Sequence, residues 1–493
     1  MLGVALALAV AQQKSADAQT GEVKRYNVVL AGEATERGFD VEGLYGLDTV
    51  EDLVDSAGGT VEIDLSDQIG VLVVESANPD IVETLGASDA VEGVAEDVKV
   101  KSLPDRENVV EVPDAESEDE DLLESMQWSM QQIRAPQAQE LQDGKRLVEV
   151  GVLDSGIDGD HTDFTNDGLP GGETNVDCGK GRNFVPLGDG GAGGPGLGTE
   201  DPCEDNQFHG THVSGIVAAQ ANGFGVVGVA PDVTIVPVKV CDSQGFCYAS
   251  ATAAGITYAG DAGLDVINMS FFVDDDGFGE STEFKCNSDP EQRVFRQMNE
   301  RAIKYARGQG VLPVAALGNS DQDLNNPVDD NGDPLDNDDC EVIPAETDGV
   351  VGTASLGPES EKAGYSNYGN GPNDLSAPGG NGGTGNCETT VLSTLPDNTH
   401  GCIQGTSMAS PHAAGVAALI VSEHGRVVKS DGERDISMGK NKVFKFLKNT
   451  AIDIGKKGYD TCFGHGRVDA ARAVKDNRNA VREEVPFCEE YEE

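Results

Sequence analysis

Residues 146–154 read RLVEVGVLD, an apolar run of strand-forming residues that ends on a carboxylate. Similar Val-, Ile- and Leu-rich runs occur at 233–240 (VTIVPVKV), 264–271 (LDVINMSF) and 310–319 (GVLPVAALGN). Helix-like segments separate these runs, and near-continuous apolar strands between helices are typical of a parallel sheet buried on both faces. The sequence therefore predicts an α/β fold, a doubly wound parallel sheet, over residues 127–493.

The chain before this region has a different pattern. Residues 21–103 lack cysteine and alternate short strand-like and helix-like runs, which predicts a small α+β domain with helices on one face of an antiparallel sheet. Residues 104–126 form an acid-rich linker in which hydrophobic periodicity fades. Residues 1–18 contain a short apolar run and a small-x-small site, so they resemble a secretory signal peptide although no basic segment precedes the run. We expect an exported, extracellular protein.

Composition excludes some classes of partner. The 493 residues include 87 acids and 34 bases, a net charge of -53, which would repel nucleic acid and anionic membrane surfaces. All ten cysteines lie from Cys178 onward, and this even count predicts five disulfides in an oxidising compartment. Cys241 and Cys247 flank a turn-like DSQGF and are the best local pair. A zinc cluster is disfavoured because the sequence has no CxxC pair.

Three polar residues lie where predicted strands end or helices begin. Asp154 ends a strand, His209 begins a helix, and Ser407 opens another, positions at which α/β folds place active residues. Individually, Asp154 could be a turn former and the other two could be helix caps. Together they supply what a hydroxyl nucleophile needs, a base and a carboxylate that orients the base. Their order, Asp then His then Ser, differs from those of chymotrypsin and the α/β hydrolases.

Three motifs contain these residues: VGVLDSGID, HGTHVSG and GTSMASPHAAG. They resemble the catalytic blocks of the subtilisin-like serine proteases (subtilases), and QWSMQQIRAP, VGVAP and DVINMS resemble that family's intervening landmarks. The resemblance covers residues 127–470, and residues 21–103 resemble the family's inhibitory propeptide. It implies that Ser407 is the nucleophile, His209 the general base and then acid, and Asp154 the orienting carboxylate.

The same resemblance extends to the oxyanion site. VAALGNS matches the family's oxyanion segment, which implies that the Asn319 side chain and the Ser407 N–H hold the developing oxyanion. His212 and His412 correspond to structural residues of the family. Met408, directly after the nucleophile, is expected to be sensitive to oxidation.

Substrate binding in this family uses extended backbone pairing on both walls of a cleft. The matching segments are Gln244, Gly245 and Phe246 on one wall, and Ser270, Phe271 and Phe272 on the other. The family's small glycine-containing segment is replaced by Phe271 and Phe272, and Leu317 beside Gly318 adds bulk. We therefore expect these residues to narrow or reshape the substrate pocket, and the sequence does not predict which substrate side chain it prefers.

The resemblance also implies a structural calcium ion. Asp163 matches the family's carboxylate ligand, and the loop QANGFGVV resembles the binding loop, with the Asn222 side chain and the carbonyls of Gln220, Phe224 and Val226 as ligands. Two acidic loops, 274–283 and 329–339, contain pieces of an EF-hand spacing but lack its first carboxylate. We interpret them as solvated insertions.

The sequence as a whole predicts a secreted serine endopeptidase that acts through an acyl-enzyme on Ser407. We expect a monomer made as a self-processing precursor, with protein or peptide substrates and its own propeptide as inhibitor. One alternative is a catalytically silent, peptide-binding pseudoprotease, which would need a broken triad or oxyanion hole. Another is an α/β-hydrolase esterase, but its GxSxG elbow is absent because Ala409 fills the last position.

Overall fold

The structure is a computed structural model that describes residues 22–40, 47–112, 122–169, 171–186, 201–271, 290–327, 341–383, 386–430 and 433–485. The predicted signal segment, the two acidic loops and Phe272 lie outside these ranges.

An N-terminal unit contains short strands and helices that alternate along the chain. Its strands are β1 Lys24–Leu30, β2 Glu33–Thr35, β3 Gly38–Asp40, β4 Gly59–Leu65, β5 Val71–Ser76, β6 Val91–Glu96 and β7 Lys99–Lys101, and its helices are α1 Leu47–Ser56, α2 Ser66–Ile69 and α3 Ile81–Gly86. Four strands form an antiparallel sheet in the order β4-β5-β1-β6. Val54, Ile81 and Leu85 from α1 and α3 pack on Val28 and Leu72 of this sheet. This is the α+β arrangement that the sequence predicts.

A second, larger unit follows. Its strands are β8 Val110–Val112, β9 Glu149–Asp154, β10 Arg182–Asn183, β11 Thr234–Lys239, β12 Phe246–Tyr248, β13 Val266–Met269, β14 Leu312–Ala316, β15 Val351–Leu356, β16 Leu375–Pro378, β17 Val391–Leu395, β18 Thr399–Ile403, β19 Arg426–Ser430, β20 Glu433–Ser437, β21 Asp453–Ile454 and β22 Arg482–Glu483. Its helices are α4 Leu122–Met126, α5 Trp128–Gln132, α6 Ala135–Gln139, α7 His209–Ala218, α8 Ala249–Asp261, α9 Pro290–Gln309, α10 Thr406–His424, α11 Lys440–Thr450 and α12 Ala470–Val474.

Seven of these strands form a parallel sheet in the order β10-β11-β9-β13-β14-β15-β16. The strands are buried almost throughout, as expected for apolar runs covered on both faces. The chain extends the sheet on one side of β9 with β10 and β11, and then on the other side with β13. In such sheets a crevice forms at the carboxyl ends of the strands where the order reverses. Asp154, the last residue of β9, lies at this position.

Helix α10 crosses the interior of this unit. Its residues from Thr406 to Ser422 are buried, and the helix contacts α7 and strands β13 to β16. Alanine, serine, threonine and glycine make up 10 of its 19 residues, so neighbouring elements approach it closely. The N-terminal end of this helix, with Ser407, is thereby held beside the strand ends.

Two antiparallel pairings tie the segment after the N-terminal sheet to the larger unit. Strand β7 pairs with β12, so that Lys101 lies opposite Phe246 and Lys99 opposite Tyr248. Strand β8 then joins the β17-β18 hairpin, with Val112 opposite His400. The N-terminal unit also contacts α9 through β1, β2, β6 and α2.

Disulfides stabilise the loops of the larger unit. The predicted local pair Cys241–Cys247 is present, together with Cys178–Cys203 and Cys387–Cys402. Cys462 is also disulfide-bonded, and none of the cysteines in the described part of the chain is free.

Among the described helices, none has the length and apolar character needed to cross a membrane.

Candidate active site

Asp154 and His209 meet at the carboxyl edge of the parallel sheet. The His209 ring places Nδ1 3.0 Å from both carboxylate oxygens of Asp154, and both side chains are fully buried. The Ser155 N–H also donates to Asp154 Oδ1 at 2.8 Å. None of the described residues hydrogen-bonds to His209 Nε2, so this nitrogen remains available to accept a proton.

The Asp205 carboxylate, which the sequence did not single out, fixes the segment that leads into His209. Asp205 accepts hydrogen bonds from the Ser155 hydroxyl, from the Gln207 and Phe208 N–H groups, and from the N–H and hydroxyl of Thr211. These bonds hold Phe208 at φ 106°, a conformation that costs a bulky residue of order 1–3 kcal/mol. The sequence signal that could have indicated this role is an acidic residue, Asp205, four positions before His209.

Ser407 lies at the start of α10 and faces the end of β13. Its hydroxyl donates to the Ser270 carbonyl at 3.0 Å, and the Ser270 hydroxyl donates back to the Ser407 carbonyl at 2.7 Å. This reciprocal pair fixes the first turn of α10 against the sheet. The Ser407 hydroxyl is thus held by a carbonyl rather than by His209 in this structure.

Asn319 follows β14 and contacts the same helix start. Its Oδ1 accepts from the N–H and the hydroxyl of Thr406, both at 2.9 Å, and the Gly318 N–H donates to that hydroxyl at 3.1 Å. These donors determine which way the amide faces, because only an oxygen accepts both. The Asn319 side chain is exposed, so Nδ2 can donate to a group in the cleft. Gly318 has φ 109°, and a Cβ there would lie 2.3 Å from Asn367 Nδ2.

The other two histidines of the motifs pack in the interior. His212 Nε2 lies 3.2 Å from the Val391 carbonyl and 3.1 Å from that of Gly401. Burial, with a smaller contribution from His209, lowers the pKa of His212 to about 3. Burial likewise lowers the pKa of His412 to about 4, and its Nδ1 lies 2.7 Å from the Met408 carbonyl. Both rings are therefore neutral near pH 7, which agrees with structural roles.

The predicted substrate-binding residues divide into two groups. Gln244, Gly245 and Phe246 lie along the edge that β7 covers, and the Gly245 carbonyl accepts from the N–H groups of Ser102 and Leu103, each at 3.1 Å. By contrast, Phe271 and Leu317 belong to a buried apolar cluster that also contains Leu103. The side chains of Phe271 and Leu317 therefore lie within the apolar core.

The residues predicted to bind calcium come together; Asp163 Oδ2 and Asn222 Oδ1 face other partners, whereas Asp163 Oδ1 is buried with no hydrogen-bond partner among the described residues. Asp163 Oδ2 accepts from His400 Nε2 and from the Val226 N–H, both at 2.9 Å. Asn222 Oδ1 accepts from the Phe224 N–H at 2.9 Å, while Asn222 Nδ2 donates to the carbonyls of Thr162 and Thr165.

The same loop closes on itself through Gln220, whose carbonyl accepts from the Asn222 N–H at 2.9 Å. A Cβ at Gly225 would lie within 2.5 Å of both Asp163 carboxylate oxygens and His400 Nε2, so these groups pack closely against the Gly225 backbone. The described residues contain no cluster of three or more His, Cys, Asp or Glu that could hold a metal ion. His400 Nε2 thus pairs with Asp163 Oδ2 on the side where the cation was expected, and this arrangement favours an imidazole over calcium at that oxygen.

The arrangement can support acyl transfer. A buried carboxylate orients an imidazole whose second nitrogen is unpartnered among the described residues, a serine hydroxyl lies at a helix start, and an amide N–H₂ faces the cleft. These are a carboxylate, a base, a nucleophile and an oxyanion donor.

Comparison with known proteins gives consistent matches. A family model described as the subtilase family matches residues 145–466. Subtilisin DY from Bacillus licheniformis is 31% identical over 329 residues, covering 66% of this chain and 91% of that protein. M-protease from Shouchella clausii (strain KSM-K16) is 28% identical over 473 residues, covering 96% of this chain and 97% of that protein.

Two solved structures are also similar. The epidermin leader peptide processing serine protease from Staphylococcus aureus superposes with a TM-score of 0.66 at 20% identity, covering 93% of this chain and all of that chain. A lanthipeptide protease gives a TM-score of 0.55 at 26% identity, covering 75% of this chain and 99% of that chain. The first match supports the fold alone.

Proposed function

The chain belongs to the subtilase family and is a subtilisin-like serine endopeptidase; from this premise we propose that it is a secreted enzyme made as a self-processing precursor. In this proposal residues 21–103 are an inhibitory propeptide, residues 104–126 contain the maturation region, and residues 127–493 are the catalytic domain. The active species is a monomer that hydrolyses protein or peptide substrates.

Four residues carry the proposed chemistry. The Ser407 hydroxyl turns from the Ser270 carbonyl to His209 Nε2, transfers its proton there and attacks the scissile carbonyl carbon. Asp154 holds the His209 tautomer through Nδ1 and stabilises the imidazolium. Asn319 Nδ2 and the Ser407 N–H donate to the tetrahedral oxyanion.

The intermediate then collapses in two stages. His209 returns the proton to the leaving amine as the C–N bond breaks, which leaves an acyl ester on Ser407. A water molecule attacks that ester while His209 accepts its proton. His209 then gives that proton to the Ser407 oxygen as the C–O ester bond breaks, which regenerates the hydroxyl and releases the carboxylic acid product.

The observation that supports the precursor proposal is that residues 99–104 lie along β12, the edge proposed to bind substrate. Strand β7 pairs antiparallel with β12. The side chain of Gln207, two residues before His209, donates to the Pro104 carbonyl at 2.7 Å. An added strand at a sheet edge is how an extended peptide is recognised. The segment thereby covers the groove that a substrate would occupy.

Contacts between the two units support inhibition after cleavage. Arg301 of α9 donates to the Leu30 carbonyl at 3.0 Å and to Glu92 Oε2 at 2.6 Å, and its guanidinium lies 4.9 Å from the Phe39 ring centroid. Asp97 accepts from the N–H and hydroxyl of Ser250 at the start of α8. Because these contacts do not depend on chain continuity between the units, the cleaved unit would remain bound.

Expression of the full chain with Ser407→Ala tests the proposal. We expect the native chain to shorten by about the mass of residues 1–104 in purified form, while Ser407→Ala stays full length and reacts with no fluorophosphonate probe. Ser422→Ala, another buried serine of α10, is the matched control and should process normally. Cleavage of purified Ser407→Ala at the native rate would refute self-processing.

A further inference from the structure

We propose that the substrate groove selects extended segments in which two basic side chains flank one aliphatic side chain. This inference rests on the proposed function, because it takes strand β7 as a stand-in for substrate. The sequence of β7, Lys99-Val100-Lys101, displays the pattern.

The two faces of β7 meet different surroundings. Side chains alternate along a strand, so Lys99 and Lys101 share one face and Val100 occupies the other. Both lysines are exposed, whereas Val100 is 2% exposed and packs with Ala249, Phe295 and Ile343. The groove thus offers an apolar pocket on one side of the bound strand.

On the other side the groove presents aromatic rings. The Lys99 ammonium lies 5.1 Å from the Phe246 ring centroid and 5.7 Å from that of Tyr248, and the Lys101 ammonium lies 5.7 Å from the Phe246 centroid. These distances fall within the range of cation–π attraction. One ring therefore contacts both basic positions. The Lys101 ammonium also donates to the Gln244 carbonyl of the groove and, at 2.8 Å, to Asp105 Oδ1 of its own segment.

The aromatic edge is held rigidly before substrate arrives. Asp242 accepts from the Gln244 and Phe246 N–H groups and from the Tyr248 hydroxyl, and Cys247 is joined to Cys241. A pre-organised edge loses little entropy on binding. Residues 105–493 contain 67 acids and 28 bases, and this net charge of -39 also raises the local concentration of basic peptides.

Competition by peptides tests the inference on the processed enzyme. The peptide DVKVKSLPDREN, residues 97–108, is compared with versions carrying Gln or Glu at both lysine positions, and inhibition constants are measured against a neutral reporter peptide. We expect the Gln version to bind about 5- to 20-fold more weakly, because both ammonium groups lose their cation–π contacts with Phe246 and Tyr248. The Glu version should bind more weakly still.

Enzyme variants separate the rings from general charge attraction. Phe246→Leu keeps an apolar side chain but removes the ring that contacts both lysines, so the Lys/Gln ratio of inhibition constants should fall, although the Lys99–Tyr248 and Lys101–Gln244 contacts keep it above 1. Phe246→Tyr should retain the ratio. A Lys/Gln ratio of 1 for the native enzyme, or an unchanged ratio in Phe246→Leu, overturns the inference. If that enzyme still cleaves the reporter peptide, the proposed function stands. A processed enzyme that neither cleaves the reporter nor reacts with a fluorophosphonate overturns both.

Discussion

Replacing Thr406 by valine should lower kcat about 10-fold and change KM less than about twofold. The Thr406 hydroxyl donates to Asn319 Oδ1 and accepts from the Gly318 N–H, and valine has the same shape without the hydroxyl. In the proposed mechanism the amide it orients meets the oxyanion only in the transition state. The loss should therefore appear in kcat.

The size of the effect follows from the contacts that remain. Each lost neutral hydrogen bond contributes about 0.5–1.5 kcal/mol, and 1.4 kcal/mol corresponds to about 10-fold in rate. The Thr406 N–H still donates to Asn319 Oδ1 at 2.9 Å, so part of the amide's orientation survives. In subtilisin itself, removal of the oxyanion side-chain donor costs about 10²–10³ in kcat. Thr406→Val should thus be the milder change.

A double-mutant cycle supplies the assay. Steady-state kinetics on a peptide substrate are measured for Thr406→Val, Asn319→Ala and the double variant, with Thr406→Ser as the control that keeps the hydroxyl. If Thr406 acts through Asn319, its replacement in the Asn319→Ala background should cost less than about twofold. Equal losses in both backgrounds would refute the reasoning, and a Tm measured for each variant checks for general destabilisation.

Three further predictions concern the rest of the molecule. Burial raises the pKa of Asp265 to about 8, so the folded state keeps a proton that the unfolded state loses from about pH 4 upward. The free energy of unfolding should therefore fall between pH 4 and 8, by at most about 1.4 kcal/mol per pH unit from this group, and denaturant titrations of Asp265→Asn in a Ser407→Ala background should show a flatter profile. Chelator should leave the Tm of the Ser407→Ala protein unchanged, because the Asp163 carboxylate is paired with His400; a fall in Tm that Asp163→Asn abolishes would contradict this. Arg301→Met should weaken inhibition by the cleaved N-terminal unit by at least about 10-fold, because Glu92 and the Leu30 carbonyl lose a donor at a partly buried contact; Lys304→Met, an exposed change on the same helix, is the control, and equal inhibition constants for the two variants would count against it.

Much of the fold was predictable because its strands are short apolar runs, and burying such runs on both faces leaves few alternative arrangements of the chain. The strands that end at Asp154, Met269 and Ala316 are parallel neighbours, and Asp154, Ser270 and Asn319 lie at or within three residues of their ends. Chain order and local motif were sufficient to bring Asp154 and His209 together. The few residues on either side of Asp154 and His209 in the sequence are enough to indicate their roles.

The remainder depended on contacts between distant segments. His400 reaches Asp163 across 237 positions, and nothing near either residue in the sequence indicates that an imidazole rather than a cation meets the carboxylate. The Thr406 hydroxyl links Gly318 to Asn319, a role that its place beside Ser407 does not reveal. The burial of Phe271 and Leu317 likewise follows from which face of the sheet each side chain occupies.

If the chain is the precursor proposed above, the two strand pairings on either side of residues 102–109 make occupancy of the groove depend on dilution. While the chain is intact, β7 and β8 belong to one molecule, so the occupied groove is held at a fixed effective concentration whatever the amount of protein present. One cut between them converts this into an association between two molecules, with β7 on the departing partner and β8 on the catalytic one. From then on, occupancy of the groove falls as the solution is diluted. Dispersal into a large volume would thus complete an activation that cleavage alone only begins.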